Sequence, residues 1–232
     1  SDALIGAAYG SAGERCMAIS VAVAIGNSAD KLIENIKPKI NDIKVGPYND
    51  KSSEMGPVVS KDAYDRINGL IESGVEEGAN LVVDRRDIKL QGYENGYFIG
   101  PCLFDNVKSN MKIYKEEIFG PVLSIVRAEN YEEGLKLVKE NPYGNGCSIF
   151  TRDGDTARNF SNEANIGMVG VNIPIPVPVA AYSFGGWKNS IFGGHNAFGM
   201  EAIRFYTHTK TITSKWPEGI RSGAQFSMPT LS

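Results

Sequence analysis

Cys16 stands in Gly13-Glu14-Arg15-Cys16-Met17, a thiol beside a guanidinium and just after the small residues Gly10, Ser11, Ala12 and Gly13. The thiolate is the reactive form of cysteine, and an adjacent positive charge favours it. Small residues upstream let a ligand approach the backbone closely. The chemistry this suggests is nucleophilic attack by Cys16. The alternative is plain packing, since a free cysteine usually serves as a small buried hydrophobe. Cys102 and Cys147 sit in apolar, strand-like runs with no cation beside them in sequence, and for those two the packing reading is preferred.

A second segment, Lys115-Glu116-Glu117-Ile118-Phe119-Gly120-Pro121-Val122, places two carboxylates before an aromatic and a rigid Gly-Pro turn. By spacing alone it reads first as a solvated acidic helix end with Phe119 in the core. Its functional reading sets one carboxylate against a ribose diol and the ring against a planar cofactor. In a third segment, Ser183-Phe184-Gly185-Gly186-Trp187-Lys188, followed by Phe192-Gly193-Gly194, paired glycines beside aromatics suit a pocket mouth or ordinary turns equally. Neither GxGxxG after a strand nor GxxxxGK[ST] occurs, so no phosphate loop is expected.

The elements that must position these residues follow from periodicity. Residues 2–12 read as a short helix of small residues ending near Gly10 and Gly13. Residues 19–25 form an almost continuous apolar run, the signature of a strand buried on both faces. Ser28 is a plausible N-cap for a helix over 29–36, with Pro38 arguing against its continuation. Residues 62–78 carry Ile67, Leu70, Ile71 and Val75 at helical spacing. Strands are expected at 81–83, 122–126, 147–150 and 168–171, and helices at 131–139 and 156–164. Such alternation predicts an α/β fold with a mostly parallel sheet covered by helices on both faces. Residues 173–179 (IPIPVPV) alternate proline and must be an extended loop. Residues 204–216 (RFYTHTKTITSKW) read as one long strand without an obvious partner in the chain, which suggests pairing with another subunit or with further sequence.

Composition sets limits. The 232 residues are 42% hydrophobic and 22% charged, as in an ordinary globular protein. A net charge of -3 with no basic stripe argues against a nucleic-acid partner. No apolar run approaches the roughly 18 residues that span a bilayer, and the N-terminus lacks the pattern of a secretory signal. Three scattered cysteines and two histidines supply neither a disulfide framework nor a zinc site, so no metal is expected.

Taken together, the segments resemble the aldehyde dehydrogenase superfamily. GERCM is similar to its Gly-x-x-Cys nucleophile motif, GYENGYFIGP (92–101) to its GYF-x-x-P segment, and KEEIFGPV to its cofactor-contacting motif. NPYGNG (141–146), GVN (170–172) and SFGGWKNS have counterparts in the same order, so that the resemblance runs over residues 2–216. Arg15 before the cysteine, the VNIPIPVP loop and the FYTHTKTITSKW tail are similar to the CoA-acylating methylmalonate-semialdehyde dehydrogenase branch. FGGWKNSIFGG departs from that branch, which leaves the pocket mouth undefined.

The resemblance implies a catalytic domain over 1–204 and an oligomerisation strand and tail over 205–232, with the NAD-binding Rossmann domain preceding this region and absent from the chain. The chain alone is therefore expected to be inactive. It implies Cys16 as nucleophile and its backbone N–H as oxyanion donor, with Glu117 on the nicotinamide ribose and Phe119 packed beside it. Arg15 would hold the substrate carboxylate; otherwise it is a thiolate-stabilising or surface arginine. The implied reaction oxidises methylmalonate or malonate semialdehyde with NAD through a Cys16 thioester. Loss of CO₂ and transfer to CoA, the co-substrate, give propionyl-CoA or acetyl-CoA. Alternatives are a hydrolytic, NAD-dependent semialdehyde dehydrogenase and a fragment acting only as an assembly module. A homotetramer or homodimer is implied, in the cytoplasm of a bacterium or the mitochondrial matrix of a eukaryote.

Overall fold

The computed structural model describes residues 1–214 and 216. Helix α1 (Asp2–Tyr9) runs into a single 3₁₀ turn (Gly10–Gly13), followed by β1 (Val21–Ile25), α2 (Ser28–Asp42), α3 (Lys61–Glu76) and β2 (Asn80–Val83). Next come β3 (Cys102–Asp105), α4 (Lys112–Lys115), β4 (Val122–Ala128) and α5 (Tyr131–Glu140). The chain continues through β5 (Tyr143–Gly144), β6 (Gly146–Ile149), α6 (Gly154–Glu163), β7 (Met168–Val171), β8 (Trp187–Lys188) and α7 (Met200–Tyr206).

Local chemistry sets several helix starts. Ser60 Oγ accepts the Ala63 N–H at 3.1 Å, Asn130 Oδ1 that of Glu133 at 2.9 Å and Asp153 Oδ1 that of Thr156 at 2.6 Å. Each satisfies an amide that the helix itself leaves unpaired. Asn27, and not Ser28, holds the N-cap position of α2, with no side-chain bond.

The main sheet has strand order β1-β4-β3-β2. β4 pairs in parallel with β1 and β3, while β2 adds an antiparallel edge. Successive residues of a strand point to opposite faces. Leu123, Ser124 and Ile125 of β4 are all fully buried, so both faces of the sheet are covered. The expected α/β architecture is present. A second parallel pair, β6 with β7, is joined by α6 as a βαβ unit around a small core of Leu135, Phe160, Ala164 and Ile166.

Three local expectations are corrected. The run at 19–25 gives a strand only over Val21–Ile25 that, among the described residues, bonds β4 alone and so lies at a sheet edge, with three of its five residues half-buried. Helix α2 does not stop before Pro38 but continues to Asp42. Pro38 and Glu34 are both exposed, so the carbonyl that loses its helical partner lies on the solvent side, while the extra turn buries Ile40 completely. The tail does not start as a strand at Arg204, because Arg204–Tyr206 closes α7. Residues 207–214 are exposed and form no regular element. Lys215 and residues 217–232 lie outside the described residues.

Candidate active site

The thiol wall of the site begins where α1 ends. Ser11 and Ala12 adopt φ of 55° and 54°, and Gly13 follows at φ 70°. Two non-glycine residues in the left-handed region mark stored backbone strain of the kind found beside functional groups. The reversal is held by the Ile19 N–H, which donates to Ala7 O at 3.1 Å. Between them, the Ala18 N–H donates to Arg15 O at 2.8 Å, closing a tight turn with Cys16 and Met17 at its centre. Cys16 is exposed at the tip of this turn. Its backbone N–H reaches no acceptor among the described residues and remains available to an incoming oxyanion.

The opposing wall is the segment between α4 and β4. Ile118 takes the core position, 1% exposed, leaving Phe119 half-buried and Glu117 exposed. Phe119 sits at φ 48°, a strained backbone for an aromatic residue. The reading of Phe119 as a core residue does not hold, since its neighbour fills that place. The walls meet backbone to backbone: a Cβ built on Gly13 would lie 2.1 Å from Gly120 O. Arg15, Cys16, Glu117 and Phe119 consequently line one small cleft, together with Ser20 and Gly120. A larger hollow between residues 45–50 and 90–93, lined by Asn49, Asp50 and Tyr93, lies away from any thiol.

Two residues that the sequence did not single out brace this cleft. Arg66, on α3, donates to the carbonyls of Glu117 (3.2 Å) and Ile118. Glu14 accepts the Val59 N–H with both carboxylate oxygens, at 3.2 and 3.0 Å. Burial pushes the Glu14 carboxyl up from its ordinary value, opposed by that N–H and by the nearby Arg66. Nothing in the local pattern marks Arg66, which reads as one more polar residue on an amphipathic helix. Arg15 folds back over Gly10, and its Nη2 donates to Gly6 O at 2.7 Å and to Ala7 O at 3.5 Å. These are carbonyls of the last turn of α1, where a cation is electrostatically favoured. Phe184, Gly185, Gly186 and Trp187 line no part of the cleft; Gly186 packs instead against Ser190 and Asn145.

The other two cysteines are different in kind. Cys102 is fully buried in β3, and burial is the main reason its thiol is pushed up to about 12. Burial also raises the Cys147 thiol, partly offset by the Ser148 backbone and by Lys188, a cation that the fold rather than the sequence brings near. Brief treatment with limiting iodoacetamide, read by peptide mass spectrometry, is therefore expected to label Cys16 at least about tenfold ahead of both, because thiolate content and access set the rate. Equal or preferential labelling of Cys102 or Cys147 in the folded protein would remove Cys16 from its assigned role.

Comparison with known proteins places these observations. Malonate-semialdehyde dehydrogenase of Pseudomonas aeruginosa is 53% identical over 231 residues, covering 99% of this chain and 46% of that protein. The mitochondrial methylmalonate-semialdehyde/malonate-semialdehyde dehydrogenase [acylating] of Bos taurus is 45% identical over 230 residues, covering 98% of this chain and 43% of that protein. The chain thus spans about half the length of these curated relatives. A candidate methylmalonate-semialdehyde dehydrogenase of Sinorhizobium meliloti 1021, solved in complex with NAD, superposes with a TM-score of 0.91 at 63% identity. That superposition covers 95% of this chain and 45% of the other. With residues 1–212 matching the family's sequence pattern as well, this chain belongs to the aldehyde dehydrogenase family.

Proposed function

We propose that this chain supplies the thiol-bearing wall of an NAD-dependent semialdehyde dehydrogenase, with Cys16 as nucleophile and methylmalonate or malonate semialdehyde as substrate. The observation that carries the reading is the shared cleft: Arg15 and Cys16 on one wall, Glu117 and Phe119 on the other, from segments about a hundred residues apart. The names of the relatives support the substrate class, and the NAD complex of the Sinorhizobium meliloti protein supports the cofactor. The residues present fit that cofactor. Glu117 offers exposed acceptor oxygens for a ribose diol, and the half-buried Phe119 ring offers an apolar edge to the planar nicotinamide.

In this reading the Cys16 thiolate adds to the aldehyde carbon, and the developing oxyanion accepts the Cys16 backbone N–H. When bound, NAD accepts the hydride that leaves this carbon, so that the acyl group remains on Cys16 as a thioester. Loss of CO₂ from the acyl group and displacement by the thiol of CoA regenerate Cys16 and release propionyl-CoA or acetyl-CoA. The acylating activity named for the bovine relative supports CoA, in place of water, as acceptor. The exposed segment 207–214 supports pairing of the tail with a second chain as a homo-oligomer. Relatives named as mitochondrial and as bacterial are both consistent with a matrix or cytoplasmic enzyme.

Arg15 is proposed to hold the substrate carboxylate. It lines the cleft beside Cys16, and a guanidinium can keep one nitrogen on the α1 carbonyls while another meets the ligand. A hydrogen bond to a charged group contributes about 1.5–3 kcal/mol. In a protein of full family length carrying these residues, Arg15→Leu is expected to lower kcat/KM for malonate semialdehyde roughly 10- to 150-fold. The loss for propanal, which has no carboxylate, should be much smaller. Steady-state rates across a pH series check this, because a clamp gives a selective loss at every pH. Equal losses for both aldehydes on the high-pH plateau would deny Arg15 the role.

A further inference from the structure

We propose that Asn145 is a positioning residue for Cys16, acting through the Met17 thioether to hold the nucleophile turn against the second sheet. The inference rests on the reading of Cys16 as nucleophile given above. Asn145 Nδ2 donates to Met17 Sδ at 2.9 Å, across 128 residues of sequence. Its neighbour Gly146 makes room for the contact: a Cβ built there would lie 2.4 Å from Met17 Cε. Met17 and Cys16 are the two central residues of one turn, joined by a planar peptide. A backbone rotation at Met17 turns Cys16 with it, and the Asn145 contact opposes that rotation by fixing where the Met17 thioether ends.

The anchor on the far side is firm. Asn145 O accepts the Met168 N–H at 3.1 Å, and Gly144 O accepts that of Gly167 at 2.9 Å. Asn145 therefore sits at the root of the β6–β7 pair, where Gly146 registers with Met168. On its N-terminal side the nucleophile turn is fixed to the main core by the Gly13–Gly120 approach and by Glu14 on Val59. On its C-terminal side the Met17 contact ties it to the second unit. A soft, polarisable thioether is a weak acceptor, so the contact adds little stability. Its consequence is geometric, because a reacting group displaced by about 1 Å can lose roughly 100-fold in rate.

Asn145→Leu removes the donor while keeping a branched side chain of the same heavy-atom count, and Gly146→Ala displaces the Met17 methyl, the free end of a flexible side chain. In a protein of full family length, Asn145→Leu is expected to lower kcat roughly 10- to 100-fold, and Gly146→Ala less. KM for NAD should stay within about twofold, because the Glu117–Phe119 wall is untouched. Met17→Leu supplies the control: if Asn145 acts through Met17, Asn145→Leu costs little further in a Met17→Leu background. Additive losses, or an unchanged kcat, would overturn the proposal. Hydrogen exchange gives a readout independent of activity. The Ala18 amide, bonded across the turn to Arg15 O, should exchange faster in Asn145→Leu while amides of β4 do not change. Unchanged exchange at Ala18 would sink the latch whatever the kinetics. Faster exchange in a protein whose turnover survives loss of Cys16 would keep the latch and reject the nucleophile.

Discussion

Replacing Cys16 with alanine in a protein of full family length is expected to lower aldehyde oxidation by about 10⁴-fold or more, the scale seen when a covalent nucleophile is deleted. Neither of this chain's other two thiols is placed to take over. Cys102 is fully buried in β3 with its thiol pushed up to about 12, and Cys147, in β6, lines no part of the cleft. Ser20 does line it, but a hydroxyl is intrinsically a weaker nucleophile than a thiol. The loss should fall on kcat and leave cofactor binding in place, because the proposed cofactor contacts, Glu117 and Phe119, belong to the opposite wall. Absorbance of the reduced cofactor gives the rate, and intact mass after quenching shows whether acyl adduct has vanished. Turnover within tenfold of the unsubstituted protein would mean that a thioester on Cys16 is not on the reaction path.

Gly13→Ala is expected to destabilise the protein by about 2–5 kcal/mol, although it adds a single methyl group. At φ 70° an L-residue pays a steric cost of about 1–2 kcal/mol. The new Cβ would also stand 2.1 Å from Gly120 O and 2.6 Å from Gly120 C, backbone atoms that no side-chain rotation can move away. Relief requires the two walls of the cleft to separate, at an overpacking cost of roughly 1–3 kcal/mol. For a domain of this size the change corresponds to a Tm lower by roughly 5–20 °C, read by calorimetry. The same opening should carry Cys16 away from Glu117 and Phe119, with a loss in kcat/KM that persists below the melting range. Gly120→Ala is the comparison, since its Cβ would meet the side chain of Ile67 at 2.6 Å and Gly120 does not have a positive φ. It should cost less. A Tm change under about 2 °C for Gly13→Ala would show that the walls are not in backbone contact.

Much of the architecture is written in short-range pattern. The helices at 61–76, 131–140 and 154–163 lie within two residues of where the sequence pattern sets them, because periodicity is a local property; their Ser60, Asn130 and Asp153 caps emerged only with the structure. The strand at 168–171 has the expected limits, and β6 differs from its expected limits by one residue at each end. Where tertiary context outweighs propensity, local pattern misleads. Pro38 is tolerated because Ile40 gains a buried site, and the apolar run at 21–25 lies at a sheet edge because, among the described residues, β4 alone pairs with it. In the tail, β-branched and aromatic residues suit a strand, yet Arg204–Tyr206 closes a helix.

For the site the division is sharper. Residue type and neighbourhood were enough to single out Cys16, Arg15, Glu117 and Phe119 and, through the family resemblance, to assign them roles. That they line one cleft depends on folding, because the thiol and the carboxylate lie 101 positions apart and meet only when Gly13 packs on Gly120. Arg66 carried no local signal, and Asn145 only its place in the NPYGNG segment, which says nothing of Met17. A polar side chain on a helix face or in a turn looks the same whether it meets solvent or a distant backbone, and only packing decides which.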